Sequence, residues 1–241
     1  MLSLMKLSVV VPSYNEERTI VGVIDAVSRV DLASPLGKEV EVEIIVVDDG
    51  STDGTRRLLD TFHDRPDVRV ILHERNRGKG AAVRTGFAAV TGDVVIIQDA
   101  DMEYDPSEFP RLLEPIVNGH ADVVYGSRLS GGRPQRVYLF WHMVGNRMLT
   151  LLTNVLFNST LTDMETGYKV FKREVVDNFR LRENDFRIEP EMTAQVLRNT
   201  NLRVYEMPIS YYGRTYEEGK KITWKDGFGA VATLLRCRLN A

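Results

Sequence analysis

Four acids, Asp99, Asp101, Glu103 and Asp105, crowd directly behind the apolar run Val94-Val95-Ile96-Ile97. Carboxylates set so close repel one another, and no gain in stability accounts for them. A hard divalent cation resolves the conflict, because Mg2+ and Mn2+ take carboxylate oxygens and usually keep positions open for phosphates. Asp105 has a simpler role as the cap of a helix that Pro106-Ser107-Glu108 opens, so the metal–phosphate expectation rests on Asp99 and Asp101. Three other polar stretches carry related chemistry: Pro12-Ser13-Tyr14-Asn15-Glu16, Asp48-Asp49-Gly50-Ser51 and Gly126-Ser127-Arg128. Together they offer acids for a metal or for sugar and base hydroxyls, glycines for close approach, and an arginine for phosphate. That is the chemistry of a nucleotide-sugar pocket. The Gly78-Lys79-Gly80 turn either presents backbone N–H groups and Lys79 to a phosphate or is a tight turn with a solvated lysine. An NAD-type site is disfavoured because no G-x-G-x-x-G follows the first strand, and a P-loop because the lysine lacks the spacing and the Ser or Thr that should follow it.

The elements that must bring these stretches together are written in the hydrophobic pattern. Short apolar runs at 7–11, 42–47, 68–72, 94–97 and 122–125 read as strands. Helical spacing follows the first four, from Asn15 through Val30 and then at 55–63, 81–90 and 107–118, with a loop at 31–38. Strict alternation predicts an α/β fold: a Rossmann-like three-layer α/β/α arrangement with a mostly parallel central sheet. The carboxyl ends of parallel strands share one edge, where open α/β sheets bind ligands, so the polar stretches converge there. At 241 residues the chain is long enough to bury a sizeable core. A net charge of −3 gives no call to nucleic acid. The single cysteine, Cys237, excludes a disulfide framework and a cysteine zinc site, and suits a reducing cytosol. The N-terminus lacks a signal peptide's layout, and no strongly apolar, charge-free stretch reaches the length of about 18 residues that a transmembrane helix needs.

The second half is read as the acceptor side. Residues 138–157 are apolar but interrupted by His142, Asn146, Arg147, Thr150, Thr153 and Asn154, which fall within one arc of about 140° on a helix, opposite Trp141, Val144, Met148, Leu151, Leu152 and Val155. The helix either packs this apolar face on the core or lies at a lipid interface, aromatic end in lipid and Arg147 facing an acceptor phosphate. The following stretch supplies Thr162, Asp163, Glu165 and Thr166. A hydroxyl acceptor would need a carboxylate here as general base. A phosphate acceptor is already ionised and needs cations instead, for which Arg128, Arg147, Arg133 and Arg136 are candidates. Residues 186–198 read as a helix and 202–208 as an edge strand. The stretch from Arg214, with its Tyr, Gly and Lys neighbours, either closes over a pyrophosphate or is a solvated charge run. From Arg214 onward six basic residues stand against three acids, with Trp224, Phe228, Val231, Leu234 and Leu235 at near-helical spacing. That suits an anionic membrane surface or packing on the domain.

The motifs VVVPSYNEERTI, VVDDGSTDGT, NRGKGAAVRTGF, QDADMEYDP, YGSR and LTDMETGYKVF, in this order, resemble the family 2 glycosyltransferases of GT-A fold, the nucleotide-diphospho-sugar transferase fold. More narrowly they resemble the polyprenyl-phosphate hexose synthases. The resemblance spans residues 7–215 and implies one catalytic domain over 1–241: a nucleotide-sugar half at 7–128, an acceptor half at 129–215 and a basic amphipathic tail at 216–241. It implies inverting transfer of a hexose from a GDP- or UDP-sugar to a polyprenyl phosphate with Mg2+ or Mn2+. Pro12, Tyr14, Glu16, Asp49, Lys79 and Asp99 would serve the nucleotide, Asp99 and Asp101 with Glu103 the metal. Arg128, Arg147 and Arg214 would serve the acceptor, with Asp101, Arg128 and Asp163 closest to the chemistry. Such an enzyme sits on the cytoplasmic face of a membrane, alone, as a homo-oligomer or with a membrane-anchored partner subunit.

Overall fold

The computed structural model describes residues 4–137, 140–213 and 224–239, with 224–226 described by backbone alone. Strand β1 (Met5–Ser13) pairs in parallel with β2 (Val40–Asp48) on one side and β4 (Val94–Ile97) on the other. All four residues of β4 are buried, as a strand covered on both faces requires. With β3 (Val68–Leu72), β5 (Val123–Ser127), β6 (Lys169–Lys172) and β7 (Val204–Pro208), the sheet has seven strands in the order β3-β2-β1-β4-β6-β5-β7. Leu7, Val9 and Val11 of β1 enter one core with α1 (Ile20–Arg29) and α5 (Phe109–Val117). Val10 points the other way, into a second core with α4 (Lys79–Phe87) and α8 (Ile188–Arg198). A Cβ on Gly86 would run into the Val10 side chain, so glycine is what lets α4 lie this close to β1. The three layers read from the sequence are those observed.

Three details differ from the sequence reading. The first is β6, antiparallel to both β4 and β5 and lying between them. It is short, and Lys169 interrupts its apolar character, so periodicity gives no signal for it. Residue Asn15 does not begin a helix. It takes a left-handed φ of 53° and braces the 49–54 loop: its N–H donates to Ser51 Oγ (2.9 Å) and its Oδ1 accepts from the Thr52 N–H (2.8 Å). The helix starts only at Ile20. Short helices also fill stretches that read as loop or were left unread, α2 (Ala33–Leu36) and α7 (Arg173–Asp177), while the 55–63 helix divides into α3 (Thr55–Leu59) and a 3-10 turn.

Helix α6 (Phe140–Phe157) packs against α9 (Trp224–Leu239), and both lie on α8. Most of its polar arc points inward: Thr150 and Thr153 are buried and only Arg147 of the arc is exposed, while Trp141, Met148, Leu151 and Val155 are 64–78% exposed. The cause is the irregular segment after it, whose backbone groups need partners. Asn154 donates to the Leu161 carbonyl (2.8 Å) and accepts from its N–H (3.0 Å), Thr150 accepts from the Met164 N–H (3.1 Å), and Asn146 donates to Asp163 (2.8 Å). Leu149, Leu152 and Leu156, on the flank, pack against Met164 and Leu234. Packing of the apolar face on the core is thus corrected for Trp141, Met148, Leu151 and Val155, while Leu152 of that face does pack inward. Among the described residues no helix is long and apolar enough to cross a membrane.

Candidate active site

The register sets Ser13 beside Asp48 and Val10 beside Ile97, so the loops after β1, β2 and β4 leave the sheet at one edge. Because β6 reverses direction between β4 and β5, β5 runs parallel to β4 and delivers Arg128 to the same edge. These loops enclose a cavity of about 990 Å³, lined by Pro12, Tyr14, Glu16, Asp49, Lys79, Asp99, Asp101, Glu103 and Arg128. Nine of the residues read as site residues from the sequence thus meet in one place. Asp163 lies behind the wall, and Arg147 is exposed and is not among the residues lining the cavity. Arg214 lies outside the described residues.

Asp49 lines the cavity, and its oxygens also accept from the N–H groups of Arg77 (2.9 Å) and Gly78 (2.7 Å), with His73 Nδ1 at 2.7 Å. It thereby fixes the turn that carries Lys79. Gly78 has φ 95°, and a Cβ there would meet the Asn184 carbonyl, so the turn is wedged against the 183–185 loop. From it Lys79 Nζ reaches Asp99 Oδ1 (2.7 Å) and Glu189 Oε1 (3.0 Å). Burial would lower the Lys79 pKa, but the two carboxylates hold it well above its ordinary value. Gly167 keeps the other side of Asp99 clear, since a Cβ there would overlap Oδ2.

Asp99 and Asp101 suit a divalent cation that draws its remaining ligands from a diphosphate and water, the usual pattern for Mg2+. Among the described residues no three or more His, Cys, Asp or Glu side chains converge as a cage of their own. Glu103, nearly buried, accepts from the Tyr211 hydroxyl (2.7 Å), and its carbonyl accepts from the Tyr212 N–H (2.9 Å), tying the acidic loop to the chain after β7. Asp105 caps the following turn through the Ser107 N–H (2.9 Å), as read.

Opposite this loop, Arg128 and Asp163 form a two-pronged pair: Nε to Oδ2 at 2.6 Å and Nη2 to Oδ1 at 2.7 Å. The Arg128 guanidinium also lies 5.1 Å from the Tyr211 ring centre. Burial would push the Asp163 carboxyl up, but Arg128, with Asn146 and the Arg128 N–H, holds it below the usual carboxylate range. Asp163 is therefore a weak base and a firm anchor.

Glu165 behaves in the opposite way. It lines the cavity, its Oε1 is buried without a hydrogen-bond partner, and burial pushes its pKa up to about 7. Lys169 and Arg128 oppose the rise while Glu189 and Asp163 add to it. A carboxyl raised in the folded state contributes stability below its unfolded pKa near 4.5, and that contribution is lost as pH rises through about 7. Glu165→Gln should accordingly match the wild type at pH 4 and exceed it by about 3 kcal/mol at pH 8 in urea denaturation. A difference that does not vary with pH would show that Glu165 titrates normally.

The sequence reading passed over Lys169 and gave Glu189 no role. Lys169 is fully buried and donates to Glu189 (2.5 Å) and to the Thr166 carbonyl. Lys169 opens a strand that periodicity does not reveal, so the one signal was Glu189, an acid on the buried face of the 186–198 helix.

A family model described as "Glycosyl transferase family 2" matches residues 8–180. The dolichol-phosphate mannosyltransferase of Pyrococcus furiosus is 29% identical over 90% of this chain and 59% of its own length. A low-salt glycan biosynthesis hexosyltransferase of Haloferax volcanii is 30% identical over 95% of this chain and 53% of its own. The chain thus spans little more than half the length of these relatives. Among solved structures, the Mycobacterium tuberculosis glucosyl-3-phosphoglycerate synthase in complex with Mn2+, UDP and phosphoglyceric acid superposes with a TM-score of 0.73 at 24% identity, covering 97% of this chain and 78% of that one. That likeness establishes the GT-A fold. The family match over most of the chain makes this protein a member of glycosyl transferase family 2.

Proposed function

We propose that this chain moves a hexosyl group, with inversion, from a GDP- or UDP-sugar to the phosphate of a polyprenyl lipid, with Mg2+ or Mn2+, at the cytoplasmic face of a membrane. The observation that carries the acceptor is the double character of α6. Trp141, His142, Gly145, Asn146 and Leu149 line the cavity, while the same helix turns Phe140, Met148, Leu151 and Val155 to the outside. On α9, which packs against α6, Phe228 and Leu239 are also exposed, at 70% and 80%. One wall thus serves a polar reaction on one side and offers apolar contact on the other, with no acid in α6 to repel anionic lipid. The Pyrococcus furiosus relative, a dolichol-phosphate mannosyltransferase, favours the same acceptor class.

In this reading Pro12, Tyr14, Glu16 and Asp49 surround the nucleoside, and Lys79 serves the diphosphate. Asp99 and Asp101 would hold the cation, which when bound stabilises the charge on the departing diphosphate. Arg128, held by Asp163 and Tyr211, binds the acceptor phosphate. That oxygen is anionic before it attacks the anomeric carbon, so the new C–O bond forms and the bond to the diphosphate breaks without a general base. A second reading, a hydroxyl acceptor, is favoured by Glu165, whose pKa near 7 suits a base.

Radiolabelled GDP- and UDP-hexoses, Mn2+ and polyprenyl phosphate in liposomes separate the two. Acid-labile label entering organic solvent is the expected result. Label that stays in water and moves onto an added saccharide, in a reaction abolished by Glu165→Gln, selects the second reading. For membrane contact, the triple variant Phe140→Ser, Trp141→Ser and Leu151→Ser should lower sedimentation with phosphatidylglycerol vesicles by about ten-fold or more. Its folding should be intact because all three side chains are exposed. Unchanged sedimentation would remove this face from the proposal.

A further inference from the structure

The buried charges beneath the acidic loop form a balanced chain. Asp99 meets Lys79, Lys79 meets Glu189, and Glu189 meets Lys169. Two carboxylates and two ammonium groups cancel, and Glu189 and Lys169 are almost wholly shielded from solvent. Lys79 bridges the two acids, its Nζ 2.7 Å from Asp99 Oδ1 and 3.0 Å from Glu189 Oε1. Its backbone is fixed by the wedged Gly78-Lys79-Gly80 turn, so only the side chain is free to exchange partners. A divalent cation arriving at Asp99 meets this ammonium, and the local charge becomes strongly positive where little water screens it. A diphosphate reverses the balance, because it offers Lys79 a new anionic partner and the cation further ligands.

We propose that Lys79 is a positioning residue that competes with the divalent cation for Asp99, so that tight metal binding requires a diphosphate to draw the ammonium away. This rests on the donor reading above and adds an order to it: the metal is held firmly only together with the nucleoside diphosphate. Glu189, anchored by Lys169, keeps Lys79 near both positions. The Lys79 side chain therefore serves Asp99 without donor and the diphosphate with it.

The test is Mn2+ affinity, measured by electron paramagnetic resonance or calorimetry without turnover, on the wild type, Lys79→Arg and Lys79→Gln. Each is titrated alone and with saturating UDP, GDP or pyrophosphate. Wild type and Lys79→Arg should bind Mn2+ weakly alone and about ten-fold or more tighter with a diphosphate. Lys79→Gln, which keeps a donor but loses the charge, should bind Mn2+ alone about ten-fold tighter than the wild type, with a coupling reduced to about three-fold or less. Should Lys79→Gln fail to fold, Lys79→Gln with Glu189→Gln removes one charge of each sign and should give the same tightening. Mn2+ binding that these substitutions weaken or leave unchanged, in a protein that still binds UDP or GDP, overturns the competition alone. A wild type that binds neither nucleotide nor pyrophosphate with Mn2+ overturns the donor reading, and the proposal with it.

Discussion

Arg128→Ala should cost about 3–5 kcal/mol of folding stability, the usual penalty for leaving one member of a buried ion pair unpaired. The remaining member is Asp163, whose side chain is fully buried while that of Arg128 is 16% exposed. Asn146 and the residue-128 N–H still donate to it, at 2.8 and 3.0 Å, so the loss should fall toward the lower end of that range. Transfer should fall by about 10²–10³-fold, as when a preorganised electrostatic contact is removed from a reacting centre. The double variant Arg128→Ala with Asp163→Ala separates the two effects. It leaves no orphaned charge, so much of the stability should return, while transfer stays low because the cation is still missing. Urea denaturation and initial transfer rates on the single and double variants check both halves. A double variant no more stable than Arg128→Ala would mean that the orphaned Asp163 charge carries no penalty. A single variant with full transfer would mean that Arg128 serves only the fold.

This pairing also alters what Asp163→Asn is expected to do. With a phosphate acceptor no base is needed, so substantial transfer should survive, with a partial loss because the amide forfeits one of the two prongs that aim Arg128.

What was legible in the chain was mostly what periodicity and turn chemistry control. The apolar runs gave β1 through β5, and the polar stretch at each carboxyl end gave nearly the whole cavity rim, because a parallel sheet forces those ends together. Less legible was anything decided by three-dimensional pairing. Residues 169–172 form a strand only because β4 and β5 leave a gap between them, and Lys169 survives there only because Glu189 meets it. The 140–157 helix shows the limit most clearly. Its two arcs were correctly drawn, but a hydrophobic pattern cannot tell which arc faces inward when the neighbouring segment lacks regular structure. Asn146, Thr150 and Asn154 settle it by hydrogen-bonding to the 161–164 stretch. The separation of Asp163 from Glu165 was unreadable for a related reason. The two acids lie two positions apart, yet one accepts a guanidinium and the other has a buried oxygen with no donor.

The acidic loop is where sequence and structure leave the largest single effect to be measured. Asp101→Asn preserves shape and can still accept from the Glu103 N–H, which lies 3.1 Å from Oδ1, so the loop should keep its course. What disappears is one negative charge facing the cavity. Turnover at saturating Mn2+ should fall by about 10²–10³-fold, because a neutral amide is a poor ligand for a hard cation and the departing diphosphate loses its counter-charge. Stability should change little, since the substitution also relieves repulsion from Asp99 and Glu103. Two neighbours provide the comparison that gives this meaning. Glu103→Gln should disturb the Tyr211 contact while sparing much of the turnover, because its carboxylate is directed to that hydroxyl. Asp105→Ala removes a cap and should cost about 1 kcal/mol of stability with little effect on rate. If Asp101→Asn keeps full turnover in saturating Mn2+ while Glu103→Gln loses it, the ligand pair would be Asp99 and Glu103, and the Tyr211 contact would have to break when the metal binds.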